Sequence, residues 1–130
     1  FGNMLIDDML RKSIFVSFFL LPFLASGLTL AQEEKGVPEP PDNLRIFTRY
    51  DGATAVAELL WQDHSDNEVG FEVLRSDNGK DFRVVAVVGA DSAHFNDKVG
   101  KYITGGFSYK VRAFNKAGRS EDSNVVSIWL

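Results

Sequence analysis

The chain of 130 residues contains no cysteine. That absence removes disulfides, thiolate zinc sites and thiol nucleophiles together. It also removes the lipid-carrying cysteine of a bacterial lipoprotein. There are only two histidines, His64 and His94, thirty residues apart. Basic residues are in deficit, 14 Lys and Arg against 18 Asp and Glu, and they do not cluster along the chain. A protein that displaces counterions from nucleic acid needs a basic face, so no nucleic-acid partner is expected. The acidity argues against docking on anionic lipid as well. Catalytic signatures are missing too: no Gly-x-Ser-x-Gly elbow, no phosphate loop, no His-Glu-x-x-His helix. No catalytic residue, cofactor or metal is therefore expected.

What is present begins with one long uncharged run. Arg11 and Lys12 precede Ile14 to Leu24, which carries no charge, and small residues follow up to Ala31. Positive, apolar and small-residue segments in that order read as a secretory signal peptide, residues 1–31. Ala31 with Thr29 two positions earlier fits cleavage before Gln32, and Gly27 with Ala25 is a second candidate. Met9 is the natural start, which makes residues 1–8 upstream readthrough or a fragment artefact. An uncleaved anchor is the rival, because 13–31 could just span a bilayer of roughly 30 Å. Its strongly apolar part is short, however, and Pro22, Ser26 and Gly27 interrupt it. A core helix is the third option and the poorest, since no polar face alternates with the apolar one. Secretion is the expectation.

Residues 32–41 hold Gly36, Pro38, Pro40 and Pro41 among acidic residues, and read as an extended tether. From Asp42 to Leu130 short alternating segments follow one another without helical spacing. In Ala55 to Trp61, residues Ala57, Leu59 and Trp61 share one face. Phe71 to Arg75 and Phe107 to Ala113 alternate in the same way, and Asn78-Gly79 marks a hairpin. Seven strands at intervals of about ten residues predict one all-β, antiparallel sandwich of the immunoglobulin-like kind.

Three segments resemble one family: Leu59-Leu60-Trp61, then Ser65 to Ser76, then Tyr109-Lys110-Val111-Arg112-Ala113-Phe114-Asn115-Lys116-Ala117-Gly118. In order and spacing they are similar to a fibronectin type III domain of the bacterial extracellular kind, over 42–130. The resemblance implies two sheets, with the first, second and fifth strands facing the other four. It implies that Trp61 is the core tryptophan, packed near Phe71, Val73 and Val111. It also implies a tyrosine where this chain has Phe107, preceded by Thr104-Gly105-Gly106. A hydroxyl that would tie down the preceding connection is thus missing.

Candidate sites are few. Asp63, Asp66 and Glu68 lie near His64, but the stretch lacks the glycine turn of a calcium loop, and reads as a solvated polar loop. Lys116, Arg119 and Glu121 sit in the connection between the last two strands, where a sandwich presents binding residues. They are the candidate contacts to an extracellular protein, although the Arg-Gly-Asp of integrin-binding relatives is absent. Phe114 and Trp129, both out of phase with their inward neighbours, would form a platform for a sugar ring. The expected protein is a secreted, monomeric, non-catalytic spacer or protein-interaction unit, or the front of a larger extracellular protein. The alternative is a small carbohydrate-binding module.

Overall fold

A computed structural model of the chain describes residues 36–130; the signal segment and its cleavage site at Ala31 and Gln32 lie outside the described residues. Eight strands follow in chain order. They are β1 (Asp42–Asp51), β2 (Thr54–Gln62), β3 (Gly70–Ser76), β4 (Arg83–Gly89), β5 (His94–Lys101), β6 (Gly106–Asn115), β7 (Gly118–Arg119) and β8 (Val126–Trp129). All pairings are antiparallel. One sheet has the order β1-β2-β5; the other is β4-β3-β6, with β7 and β8 both paired to the free side of β6.

The expected partition, first, second and fifth strands against the rest, is therefore what forms. The count of eight instead of seven has a local cause: the last strand is broken in two. Between β7 and β8 the chain keeps contact with β6 through serine side chains. Ser120 and Ser123 donate their backbone N–H groups to the carbonyls of Ala113 and Val111, both at 2.8 Å. In return, the Ala113 and Val111 N–H groups donate to the Ser120 and Ser123 hydroxyls at 2.9 Å. The two buried hydroxyls stand where strand carbonyls would, so the ladder continues without an orphaned donor.

Strand alternation fixes the core. Ala57, Leu59 and Trp61 from β2 meet Phe71 and Val73 from β3 and Tyr109, Val111 and Ala113 from β6, with Leu44 closing the side. Trp61 is 3% exposed and its ring is tilted 56° against Phe71 at 5.6 Å between centroids. Its indole Nε1 is buried with no hydrogen-bond partner. The hairpin between β3 and β4 uses Asn78-Gly79 as read from sequence. Gly79 takes φ +76°, and the Asn78 side chain accepts the N–H groups of Lys80 and Asp81.

The proline-rich stretch departs from the tether reading. Pro38 and Pro41 are buried, and the Gly36 carbonyl accepts the side-chain amides of Asn67 at 3.0 Å and Asn115 at 3.1 Å. Proline that cannot join a ladder still brings three ring carbons, and these pack at low entropic cost. From Gly36 onward the segment is a strap laid on the sandwich.

Candidate functional site

β6 runs between two poles of the sandwich. At its Asn115 end lie the strap, the turn after β6 and the loop between β2 and β3. At its Gly106 end lie the turn after β5, the hairpin loop after β3 and the end of β8.

The first pole carries the expected binding residues, but not all with free side chains. Lys116 and Glu121 are exposed. Arg119 is committed: its Nε donates to Glu72 Oε1 at 2.9 Å, while Arg112 holds Oε2 through Nε at 2.9 Å and Nη2 at 2.6 Å. This outward ladder crosses β3, β6 and β7. Burial pushes the Glu72 carboxyl up, yet the two guanidinium groups outweigh it and hold it below the ordinary carboxylate value.

The same pole gathers carboxylates. Asp63 and Glu68, read from sequence as a polar loop, meet Asp91 from the turn after β4, their oxygens within 4.8 Å of one another. Ser65 donates its hydroxyl to Asp63 at 3.1 Å and to Glu68 at 2.6 Å. Burial raises the Glu68 carboxyl, but the Ser65 hydroxyl and the backbone N–H groups of Glu68 and Asp91 bring it below the ordinary value. Oxygen donors of this kind suit a hard divalent cation. His64 is turned elsewhere, with Nε2 at 2.6 Å from Asp42. His94 opens β5, opposite Leu60, and is exposed.

The expected pair of sugar-stacking aromatics does not come together. Trp129 is opposite Gly106 and Phe114 is eight residues further along β6, about 26 Å at ~3.3 Å per residue. Each covers a glycine on the outer face. A Cβ at Gly70 would come within 3.2 Å of the Phe114 ring, and one at Gly106 within 3.0 Å of the Trp129 ring. Phe114 is half-buried; Trp129 is 83% exposed.

At the Gly106 pole a cleft of about 430 Å³ opens between the sheets, lined by Arg75, Asp77, Thr104, Gly105, Gly106 and Phe107 among others. Phe107 therefore faces this cleft, with the Arg75 guanidinium 5.9 Å above its ring. The connection that the absent hydroxyl would have held is fixed by backbone pairs instead. Gly105 and Leu130 exchange two N–H···O bonds at 2.9 Å. A hydroxyl tie between the sheets does exist, one turn of the alternation away. Tyr109 donates to Asp97 Oδ2 at 2.8 Å, and Arg75 donates to the same oxygen at 2.7 Å. Burial, then the Asp97 charge, pushes the Tyr109 phenol well above its ordinary value. Sequence alternation placed Tyr109 inside; nothing in it announced Asp97, whose strand lies in the other sheet.

No family model and no curated protein matches the chain. Solved structures do. An Fn3-like protein from Clostridium thermocellum is 21% identical with a TM-score of 0.56, over 69% of this chain and 90% of that one. The sixth fibronectin type III domain of human fibronectin type III domain containing protein 3 is 16% identical with a TM-score of 0.54, over 75% and 89%. A β-1,2-glucanase from Parabacteroides distasonis is 22% identical with a TM-score of 0.54 over 72% of this chain. Only 12% of that glucanase is matched, so the likeness is to one part of a much longer chain. These likenesses show the fold.

Proposed function

We propose that this fibronectin type III fold serves as a secreted, non-catalytic module that sets a fixed distance and offers a loop to a protein partner. The observation that carries the reading is that both poles of the sandwich are tied down. Gly36 is pinned to Asn67 and Asn115 at one pole, and Leu130 is paired with Gly105 at the other. Nine residue steps of β6, roughly 30 Å at ~3.3 Å each, lie between. A sandwich held at opposite ends transmits position without a hinge. The interaction loop is then Lys116 and Glu121, exposed beside the strap; Arg119 serves the Glu72 ladder. The absence of native cysteine makes the test direct. Spin labels on Glu39→Cys and Thr104→Cys should give a narrow distance distribution near that length. A broad distribution would mean that the strap detaches, and would remove the fixed-length spacer. For the partner surface, Lys116→Ala with Glu121→Ala should leave thermal stability within about 0.5 kcal/mol. Affinity for a purified protein partner should fall about tenfold, which is ~1.4 kcal/mol; unchanged affinity would clear this loop of the role.

The second reading is a small carbohydrate-binding module of an extracellular carbohydrate-active protein. One observation favours it: Trp129 remains 83% exposed on an otherwise ordinary sheet.

A further inference from the structure

We infer that the pole formed by Trp129, Tyr102 and the cleft between them in the chain is a binding site for a neutral glycan of hexose units. The inference rests on the second reading above and gives it a site; the spacer reading does not depend on it.

Among the described residues the large apolar side chains left in water are mostly half covered, at 43–62% exposure. Tyr102 at 87% and Trp129 at 83% stand apart. They come from different strand ends and arrive at the same pole. Tyr102 follows the last residue of β5, and Trp129 lies opposite Gly106, the first residue of β6. Neither ring owes its exposure to a loose backbone. The Trp129 benzo edge sits on Gly106, where any Cβ would approach to 3.0 Å of Cε3 and 3.1 Å of Cζ3. The next residue, Leu130, is held by its two bonds to Gly105. Tyr102 is kept at φ +52°, a left-handed conformation that residues other than glycine rarely adopt, and its N–H donates to the Ala53 carbonyl at 3.3 Å. The fold thus fixes two solvated rings where burial would have been the ordinary fate.

The chain between them, residues 103–106, lines the cleft described above. Its volume falls within the range of about 300–1,000 Å³ usual for small-ligand sites. Apolar surface from Val99, Ile103 and Phe107 is mixed with three polar groups of different character: the Arg75 donor, the Asp77 acceptor and the Thr104 hydroxyl. On the outer face, one step along the strands from Trp129, Ser127 and Ser108 join hydroxyls at 2.8 Å. Toward the pole the next pair, Gly106 and Trp129, carries no charge.

That chemistry selects the ligand. A hexose presents axial C–H bonds on its faces, which settle on aromatic rings, and equatorial hydroxyls at its rim, which both donate and accept. Mixed donor and acceptor groups around exposed rings match both features. A nucleotide would need an unneutralised cation for its phosphates, and the charge of the one guanidinium lining the cleft is balanced by Asp97, with Asp77 in the same lining. An acidic glycan has the same difficulty.

The test uses the full chain in affinity electrophoresis through gels containing β-glucan, hydroxyethylcellulose or galactomannan, with polygalacturonate as the charged comparison. Wild type should be retarded in at least one neutral gel. Trp129→Ala should lower that affinity at least tenfold. Because it also uncovers Gly106 and can loosen β8, Tyr102→Gly is the second variant. It removes a ring and relieves the positive φ, so the fold should be as stable as wild type while affinity falls at least threefold. Retardation in neutral gels that both variants leave unchanged would overturn the site while leaving the carbohydrate reading in place. No retardation in any neutral gel, or retardation in polygalacturonate alone, would overturn the proposal together with that reading.

Discussion

Trp61 shows how far one residue type in one pattern can be trusted. Alternation over Ala57, Leu59 and Trp61 put three side chains on one face, and all three are buried in the cluster that joins the sheets. Cutting Trp61 to alanine leaves a cavity the size of an indole beside Phe71, and should cost about 3–5 kcal/mol. Trp61→Phe is the sharper experiment. It keeps a ring against Phe71 and deletes an N–H that is buried without a partner. Such an orphan already costs roughly 1–3 kcal/mol, which offsets part of the lost packing. Urea unfolding should therefore place Trp61→Phe within about 1.5 kcal/mol of wild type. A loss as large as that of alanine would mean that the indole N–H has an acceptor. The polar interior was less legible. Period-two alternation assigns Tyr109 to the inside, but it cannot pair it with Asp97, because strands in opposite sheets have no common register. The resemblance marked Phe107 as a position without the usual hydroxyl; that Tyr109 would supply a tie between the sheets was not in the pattern.

At the scale of elements, the ladder Arg112–Glu72–Arg119 was invisible because its members are 40 and 47 residues apart in the chain. Only the registers Glu72↔Arg112 and Phe114↔Arg119 bring them into one outward row. The same registers explain why the Arg119 side chain is engaged by Glu72. Glu72 is nearly covered, whereas Arg119 is 60% exposed, so solvent screens its share and Arg112 carries more of the pair. Since the folded carboxyl titrates below its ordinary value, near 4.3 in an unfolded chain, its contribution is fully present above that pH. It is lost as pH falls through the lower, folded value. Glu72→Gln should thus cost about 1–3 kcal/mol at pH 7. The gap to wild type, followed by urea unfolding, should close in the acid range below about pH 4. A gap that stays constant to pH 3 would mean that packing rather than charge makes the difference. The broken last strand follows the same logic: Ser120 and Ser123 read as loop residues, yet their hydroxyls take the places of strand carbonyls.

For the molecule as a whole, the strap changes what export would release. Read from sequence, the acidic proline-rich stretch is an extended tether between a leader and a domain. With Gly36 fixed to Asn67 and Asn115, the strap is reached five residues after the expected cleavage at Ala31. A peptidase needs its target segment extended and free of the fold. The domain needs no oxidising step, having no cysteine to pair. We therefore expect the full chain, expressed with its own N-terminus in a secreting host, to appear in the medium. Intact-mass spectrometry should find a chain that begins at Gln32 or its cyclised form. Cleavage after Gly27 would lengthen the free segment and move the reading to the second candidate site. Protein recovered from the membrane fraction with Met9 still attached would replace secretion by anchoring.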